Sequence, residues 1–206
     1  MAGRAWEAEG ERVRLRDGRA VLLRPAGPRD AAAVLRVINA VGAERQYILT
    51  ERFPASVAEE RVFLARLDRS RNLMLVAQEP DRAGVVACAA AMQFMSGRYP
   101  KCNHVCSIGI SILASHRESG LGTAMASRLV EWAALVGYHK VEAEVFAANV
   151  RALRLFLGLG FQEEGRRIDH VHLPDGYTDL VMLGKVVGVE AGSGTPSGVV
   201  GPGAGN

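Results

Sequence analysis

Long apolar runs are missing from this sequence. No uninterrupted hydrophobic stretch approaches the roughly 20 residues that a helix needs to span a bilayer. The segment from Met1 to Arg12 also lacks the apolar core of a secretory signal. We therefore expect a cytoplasmic protein that is neither inserted in a membrane nor partnered with one.

Cysteines and aromatic residues are scarce as well. Cys88, Cys102 and Cys106 are too few for a disulfide scaffold, and their spacing does not match a zinc site, so we expect free thiols and no bound metal. Aromatic residues make up 6% of the chain, and basic residues exceed acidic ones by 25 to 22. Nucleic-acid-binding proteins usually show clustered basic stripes with interleaved aromatics, so we expect no nucleic-acid partner.

The remaining composition indicates one globular domain. Of the 206 residues, 49% are hydrophobic and 23% are charged, which excludes disorder of the whole chain. Residues 188–206 contain seven glycines, two prolines and one charged residue, a composition that favours a disordered tail. Residues 1–10 are expected to be flexible, which leaves a single domain over residues 11–187.

Local patterns in the first half predict strands followed by helices. Asp17-Gly18 between two apolar stretches indicates a hairpin, and Pro28 with Asp30 indicates the start of a helix. Ser56 and Glu59 have the spacing of a capping box, which predicts a second helix to about Leu67. Residues 73–78 and 85–94 predict antiparallel strands that flank a turn at residues 81–84.

The second half alternates strands and helices. The predicted elements are a strand over 105–113, a helix over 121–136, a strand over 140–146, a helix over 149–157 and a hairpin formed by 161–172 and 177–187. Together these elements predict a mixed α/β fold with a central, mostly antiparallel sheet flanked by helices.

A glycine-containing turn precedes the helix at Leu121. Gly120 and Gly122 expose backbone N–H groups where the helix begins, and such groups attract anions. Arg117 adds a charge beside them, and Thr123 adds a hydroxyl donor. The turn lacks the ending of a Walker motif and the full dinucleotide fingerprint, so a glycine-tolerant loop without a ligand remains an alternative.

Several sequence motifs along the chain give this turn a more specific interpretation. Arg117-x-x-Gly120-x-Gly122 after an apolar strand matches the Gln/Arg-x-x-Gly-x-Gly/Ala motif of the GCN5-related N-acetyltransferase (GNAT) superfamily. Residues 145–152, followed by Leu159-Gly160-Phe161, resemble the second conserved block of that family, and residues 176–182 resemble its ending. The resemblance covers residues 12–187.

The resemblance implies a fold in which two central parallel strands splay apart and hold acetyl-CoA, the co-substrate, between them. The Ile110 N–H group is implied to polarise the thioester carbonyl. Asn149 is implied to bind the cofactor arm, although an N-cap role explains it equally well. The implied cofactor-binding residues are Ile110, Ser111, Ile112, Arg117, Glu118, Ser119, Gly120, Leu121, Gly122, Thr123, Asn149, Ala152 and Phe156.

The acid and the base of the reaction are not settled by the resemblance. Many relatives carry a tyrosine as the acid, and Phe156, which has no proton to donate, occupies that position here. Tyr177 is a candidate substitute for the acid. His104 and Glu144 are candidates for the base, and Glu142 shares a strand face with Glu144.

The implied activity is transfer of an acetyl group from acetyl-CoA to the primary amine of a small molecule, an amino acid or a protein N-terminus. The amine is implied to attack directly within a ternary complex. A catalytically degenerate acyl-CoA-binding or regulatory module is the alternative that Phe156 suggests, and a homodimer is left open. We expect Gly120→Glu or Gly122→Glu to weaken acetyl-CoA binding and to leave the fold largely intact.

Overall fold

A single sheet organises the computed structural model of the chain, which describes residues 10–80 and 84–188. The predictions for residues 1–9 and 189–206, and most of the predicted turn at 81–84, lie outside the described residues. The strands are β1 (Glu11–Arg14), β2 (Ala20–Pro25), β3 (Leu73–Gln78), β4 (Val85–Gln93), β5 (Val105–Ile112), β6 (Lys140–Phe146), β7 (Gln162–Leu173) and β8 (Gly176–Val186). Their order across the sheet is β1-β2-β3-β4-β5-β6-β8-β7.

Within the described residues, four α-helices cover the two faces of this sheet. They are α1 (Ala31–Gly42), α2 (Val57–Arg66), α3 (Leu121–Leu135) and α4 (Val150–Gly158). Helices α1 and α2 pack with one apolar cluster on one face, and α3 and α4 pack with the other main cluster on the opposite face. Within the described ranges, the structure contains no helix with the length and apolar character required to cross a membrane.

The predicted helix starts are confirmed at α2 and α4. The Glu59 N–H group donates to Ser56 Oγ at 3.3 Å, and the Ser56 N–H group donates to Glu59 Oε2 at 2.7 Å, so the capping box is formed. At α4 the Asn149 Oδ1 atom accepts from the Ala152 N–H group at 3.2 Å. Both helices therefore begin where their capping side chains predict.

The helix predicted over residues 121–136 is also confirmed, and one side of it forms an apolar stripe. Leu121, Met125, Leu129 and Trp132 are all buried against the sheet. Gly137, two residues after the helix, has a φ of +89°, the left-handed conformation that ends many helices. The stripe thus fixes which side of α3 faces the sheet, and hence where its first turn lies.

Strands β5 and β6 form the one parallel pair in the described sheet, and they separate soon after they meet. Only residues 105–107 of β5 pair with residues 140–142 of β6. Every other neighbouring pair of described strands is antiparallel. This is the mixed α/β sheet with two splayed parallel strands that the resemblance implied, and beyond Ser107 it leaves a gap between β5 and β6.

A buried ion pair joins β2 to the start of α1. Arg24 Nη1 and Nη2 each donate to one carboxylate oxygen of Asp30 at 2.8 Å, and Asp30 also accepts from the Gly27 N–H group at 2.8 Å. Burial alone would raise the pKa of Asp30, but the hydrogen bonds from Arg24 and Gly27 outweigh burial and hold this pKa below its usual value. The charged form of Asp30 therefore stabilises the junction between the sheet and α1.

We predict that Asp30→Ala lowers the free energy of unfolding by about 3 kcal/mol, because it leaves the Arg24 charge buried without its partner. Urea unfolding at pH 7 measures the change. The matched control is Glu51→Ala, which breaks the Arg45–Glu51 pair, whose side chains are 58% and 62% exposed. This control should cost less than about 1 kcal/mol.

The Arg24–Asp30 pair also predicts that the free energy of unfolding of the wild-type protein decreases at acidic pH. Because the pKa of Asp30 is lowered in the folded state, its contribution is present above the ordinary aspartate pKa and is lost as the pH falls through the folded-state value. Equal losses of unfolding free energy in Asp30→Ala and Glu51→Ala would contradict the assignment of Asp30 as the residue that anchors α1 to the sheet.

Candidate active site

The turn between β5 and α3 is held in a fixed shape from both sides. Ser119 is buried, and its hydroxyl donates to the His116 carbonyl at 2.7 Å. The Ser119 carbonyl accepts from the Arg16 N–H group at 2.8 Å. Glu118 and Gly120 have φ values of +60° and +88°, so the backbone turns twice through the left-handed region. Such alternation turns successive N–H groups toward one concave surface.

The N–H groups at the end of this turn have no acceptor among the residues that the structure describes. The first hydrogen bond into α3 runs from the Ala124 N–H group to the Gly120 carbonyl at 3.1 Å. The N–H groups of Leu121, Gly122 and Thr123 come before it and are left unpaired. With the positive end of the α3 dipole, they form an anion-binding surface.

The Arg117 side chain does not face this surface, which corrects the expectation that its charge lies beside the glycine turn. Its Nε atom donates to the Ile112 carbonyl at 2.9 Å, and both terminal nitrogens donate to the Glu44 carboxylate, one of them at 2.7 Å. Its guanidinium carbon lies 4.6 Å from the centre of the Tyr47 ring. The guanidinium is thus matched by a carboxylate just past the end of α1, 73 residues away in sequence.

Two other arginines lie near the glycine turn. The Arg16 side chain passes Gly120, where a Cβ atom, if the residue had one, would meet Arg16 Cγ at 3.5 Å. Arg151 lies beside the turn through its ion pair with Glu118, in which the Nε–Oε1 distance is 2.7 Å. Arg16 belongs to the β1–β2 turn, about a hundred residues from the glycine turn in sequence, so no local pattern connected the two.

The two glycines are required by the fold as well as by the anion-binding surface. A Cβ at Gly122 would lie 2.7 Å from Leu155 Cδ1 on α4 and 3.3 Å from Ile112 Cδ1 on β5. Gly120 adopts a φ of +88°, which strains any residue with a side chain. Either Gly→Glu change therefore carries a cost in backbone strain or packing, and the expectation that the fold stays largely intact remains a prediction.

The edge of β5 that faces the gap carries backbone groups that have no strand partner beyond Ser107. The Leu113 N–H group donates to the Val86 carbonyl at 3.0 Å, and the strands pair Ile110 with Ala89. Because hydrogen-bonded and non-hydrogen-bonded pairs alternate in an antiparallel ladder, the N–H group of Ile110 points away from β4 and into the gap. The Ile112 carbonyl points the same way, since it accepts from Arg117 there.

Some of the predicted catalytic residues lie away from the C-terminal part of β5, where the gap opens. His104 precedes β5, six residues and roughly 20 Å of extended chain before Ile110, so the structure does not bring it to the gap. The assignment of His104 as the base therefore stays a prediction that this position does not favour. Glu144 is exposed on β6 and pairs with Arg167 at 3.2 Å, and Glu142 accepts from Ser107 Oγ at 2.6 Å.

Tyr177 begins β8 at the hairpin end and is 68% exposed. Its ring packs against His172 with 4.8 Å between ring centres. Among the described residues its hydroxyl has no hydrogen-bond partner, so its proton is not committed elsewhere. Tyr177 remains a predicted acid.

The residues of α4 are used mainly for structure. The Asn149 side-chain oxygen and the Ala152 N–H group bond to each other in the helix cap. Phe156 is buried, and its ring packs edge to face on Phe161 with 5.1 Å between centres. Phe156 therefore packs in the core, and its assignment as a cofactor-binding residue stays a prediction.

The described residues do not favour a buried cysteine nucleophile or a cluster of metal ligands. Burial, and secondarily the charge of Glu142, raises the pKa of Cys106 to about 12. Burial, and secondarily the charge of Glu60, raises the pKa of Cys88 to about 12. Both thiols are protonated at neutral pH and are poor nucleophiles. The described part of the chain contains no group of three or more His, Cys, Asp or Glu side chains arranged to hold a metal ion.

A cavity of about 370 Å³ lies on the α1 and α2 face of the sheet and reaches the gap end of β5. Gly109, Ile110 and Ser111 form part of its floor, and the space above Gly109 is open. The other lining residues are Ile38, Ile48, Leu49, Thr50, Phe53, Glu60, Phe63, Met74, Cys88, Ala89, Ala90 and Met92. The cavity and the anion-binding surface therefore approach β5 at the same end.

Glu60 is the cavity residue that sequence reasoning missed. Its carboxyl is buried, with 4% of the residue exposed, and burial raises its pKa. It follows Glu59 in the first turn of α2, where a charged residue is ordinarily solvated. A signal was available in Leu64, four residues on, because this spacing puts both side chains on the buried face of α2.

Comparison with known proteins places this geometry in a family. The model of the acetyltransferase (GNAT) family matches residues 43–161, more than half of the chain. The chain therefore belongs to the GNAT acetyltransferase family.

A curated protein and several solved structures each resemble part of the chain. The N-acetyltransferase aca1 of Schizosaccharomyces pombe is 32% identical over 90 residues, which are 42% of this chain and 43% of aca1. The chain thus matches less than half the length of that curated relative. An acetyltransferase of the GNAT family from Streptococcus pneumoniae superposes with a TM-score of 0.74 at 22% identity, covering 82% of this chain and 99% of that one.

Two further solved structures contain acetyl-CoA. The yncA protein of Salmonella typhimurium, solved with its cofactor acetyl-CoA, has a TM-score of 0.74 at 19% identity and covers 84% of this chain and 96% of its own. A phosphinothricin acetyltransferase from Sinorhizobium meliloti, in complex with acetyl-CoA, has a TM-score of 0.73 at 20% identity, with coverages of 82% and 89%. At these identities the likeness shows a common fold.

Proposed function

We propose that this protein is an acetyl-CoA-dependent N-acetyltransferase that acetylates a primary amine by direct attack in a ternary complex, with residues 11–187 as its catalytic domain. One observation carries the proposal: the free edge of β5 at Ile110 leads directly to the anion-binding surface at the start of α3. The family membership and the two fold neighbours solved with acetyl-CoA support the same cofactor.

The anion-binding surface fits the polyphosphate of acetyl-CoA. The backbone N–H groups of residues 118–123 would donate to the pyrophosphate, and the Arg16 guanidinium lies close enough to add a positive charge. The Arg117 side chain is engaged by Glu44, and its N–H group donates to the Ala114 carbonyl at 3.3 Å. The remaining charge on this surface therefore comes from the α3 dipole and from Arg16.

The free edge of β5 fits the extended pantetheine arm. An amide-containing chain that lies along Ile110 and Ile112 would replace the strand partner that β5 loses after Ser107. The Ile110 N–H group would then donate to the thioester oxygen and stabilise the negative charge that develops there. Acetyl-CoA supplies the activated acetyl group, and the chain supplies its orientation.

The proton pathway uses residues other than cysteine. With both buried thiols protonated, transfer proceeds without an acyl-cysteine. Tyr177 is the proposed acid for the departing thiolate, since Phe156 has no proton to donate. Glu144, acting through water, is a candidate for the base that removes a proton from the amine.

A degenerate acyl-CoA-binding module is the second candidate function, and the buried Phe156 in place of the family tyrosine is the observation that favours it. Amine-dependent release of the free CoA thiol, measured over a panel of primary amines, separates the two. The transferase predicts release with at least one amine. Binding of acetyl-CoA without release on any amine would favour the module.

We predict that Ile110→Pro lowers turnover by about a hundredfold or more and leaves the protein folded. Proline removes the N–H group that faces the gap, and this group takes no part in the ladder with β4. CoA release measures turnover, and thermal unfolding measures the fold. Ser111→Pro is the matched contrast, because the Ser111 N–H group lies in that ladder and its loss should be strongly destabilising.

Unchanged turnover in Ile110→Pro would contradict the proposed role of this N–H group. If Ile110→Pro were as destabilising as Ser111→Pro, the orientation assigned to the Ile110 N–H group would be wrong.

We also predict that Thr123→Glu weakens acetyl-CoA binding by roughly tenfold, because it places a negative charge beside the bound polyphosphate. Thr123 is exposed in the first turn of α3, where an acidic residue favours the helix, so the melting temperature should hold or rise. Calorimetric titration measures the affinity.

Ser127→Glu, one turn further along the same side of α3, is the control and should have a much smaller effect. Equal affinities for wild type and Thr123→Glu would place the polyphosphate elsewhere.

A further inference from the structure

The proposed function assigns no role to the cavity on the α1 and α2 face, although this cavity opens at the strand that carries the Ile110 N–H group. Its floor includes Gly109 and Ser111 of β5. No side chain fills the space above Gly109. A molecule in the cavity would therefore approach the acetyl group from the side opposite α3 and α4.

Glu60 is the polar group within this cavity that the fold leaves unsatisfied. Its carboxyl makes no hydrogen bond or ion pair with any residue that the structure describes, and 4% of the residue is exposed. Asp30, also buried, shows the contrast, because its carboxylate is matched by Arg24 and Gly27. A buried carboxyl without a partner costs stability, so packing does not account for Glu60.

The rest of the cavity indicates what could satisfy Glu60. The lining is almost entirely aliphatic and aromatic, with the hydroxyls of Thr50 and Ser111 as its other polar side chains. Among the described lining residues, no arginine or lysine is present to neutralise a carboxylate, and Cys88 is the one other titratable group. The cavity therefore matches a molecule that carries one positive charge on an apolar body.

We infer that Glu60 binds the ammonium group of the acceptor and takes its proton, and that the acceptor is an apolar primary amine without a carboxylate. This inference rests on the proposed transferase function and names the substrate class of that same site. An α-amino acid is disfavoured because its carboxylate would lie in an apolar cavity near the Glu60 charge. A polyamine is disfavoured because its second charge would find no partner there.

The acceptor R–NH₃⁺ gives one proton to the Glu60 carboxylate, and the neutral amine nitrogen forms a bond to the thioester carbonyl carbon. The carbonyl oxygen carries the negative charge against the Ile110 N–H group until the C–S bond breaks. Tyr177, the proposed acid, donates a proton to the departing thiolate and is reprotonated by the second proton that the nitrogen loses, giving R–NH–acetyl and CoA–SH, and Glu60 releases its proton to water.

Burial supports Glu60 in this role as a base. It raises the pKa of the carboxyl, and a base whose pKa lies nearer the working pH removes a proton from an amine more effectively. The groups packed around it from α1, β4, β5 and the 48–53 segment contribute no charged side chain to the described lining. The bound ammonium group is thus the partner that would stabilise the ionised carboxylate.

The test compares Glu60→Gln with wild type, using phenethylamine and phenylalanine as acceptors. Phenethylamine has the apolar body and single charge that we infer, and phenylalanine differs from it by the carboxylate. We expect kcat/KM for phenethylamine to fall at least a hundredfold in Glu60→Gln and its acid limb to disappear from the pH profile. Wild type should use phenylalanine far less efficiently than phenethylamine.

Two controls separate catalysis from folding. Glu51→Gln changes an exposed glutamate paired with Arg45 and should keep wild-type kinetics. Glu60→Gln should keep its affinity for acetyl-CoA and should melt at the same or a higher temperature, because it removes a buried charge without a partner. A lower melting temperature with weaker acetyl-CoA binding would show a structural role and overturn the inference.

Other outcomes are equally decisive. Wild-type kcat/KM in Glu60→Gln, or equal use of phenylalanine and phenethylamine, would overturn the inference and leave the proposed transferase function intact. Failure of wild type to release CoA with any amine, despite binding acetyl-CoA, would overturn the transferase function and the inference together.

Discussion

The separation of β5 from β6 after Ser107 is the constraint on which the rest of the site depends. A central strand ordinarily hydrogen-bonds on both edges, and here one edge of β5 is released beyond its first three residues. Backbone N–H and carbonyl groups seek partners, so this edge suits an extended, amide-containing ligand. The anion-binding surface and the cavity both lie at the released end, which brings the two proposed substrates to Ile110.

The charges around this centre are divided between structure and ligand binding. Arg117 connects the turn before α3 to Glu44 and Tyr47 just past α1, so it fixes the region that leads to the cavity wall. Arg24 and Asp30 fix the other end of α1 to β2. The backbone N–H groups of the turn and the Glu60 carboxyl are left without such partners, which is what a binding site requires.

Sequence reasoning predicted the framework well and the cavity poorly. Ser56 and Asn149 act within one turn of helix, and the apolar stripe of α3 repeats along a single helix, so local patterns were sufficient to locate them. The pairing of Arg117 with Glu44 and the place of Arg16 arise from contacts between distant segments, which no local pattern contains. Glu60 was missed because its burial depends on how α2 lies against the sheet, whereas its neighbours in sequence are charged.

Hydrogen–deuterium exchange with and without acetyl-CoA tests the central claim most directly, since it reports on the backbone groups proposed to bind the ligand. The account predicts slower exchange for the amides of Ile110 and Ile112 and of residues 118–123 when acetyl-CoA is present, with little change at His104. Unchanged exchange in both segments at saturating acetyl-CoA would contradict a binding site at the released edge of β5.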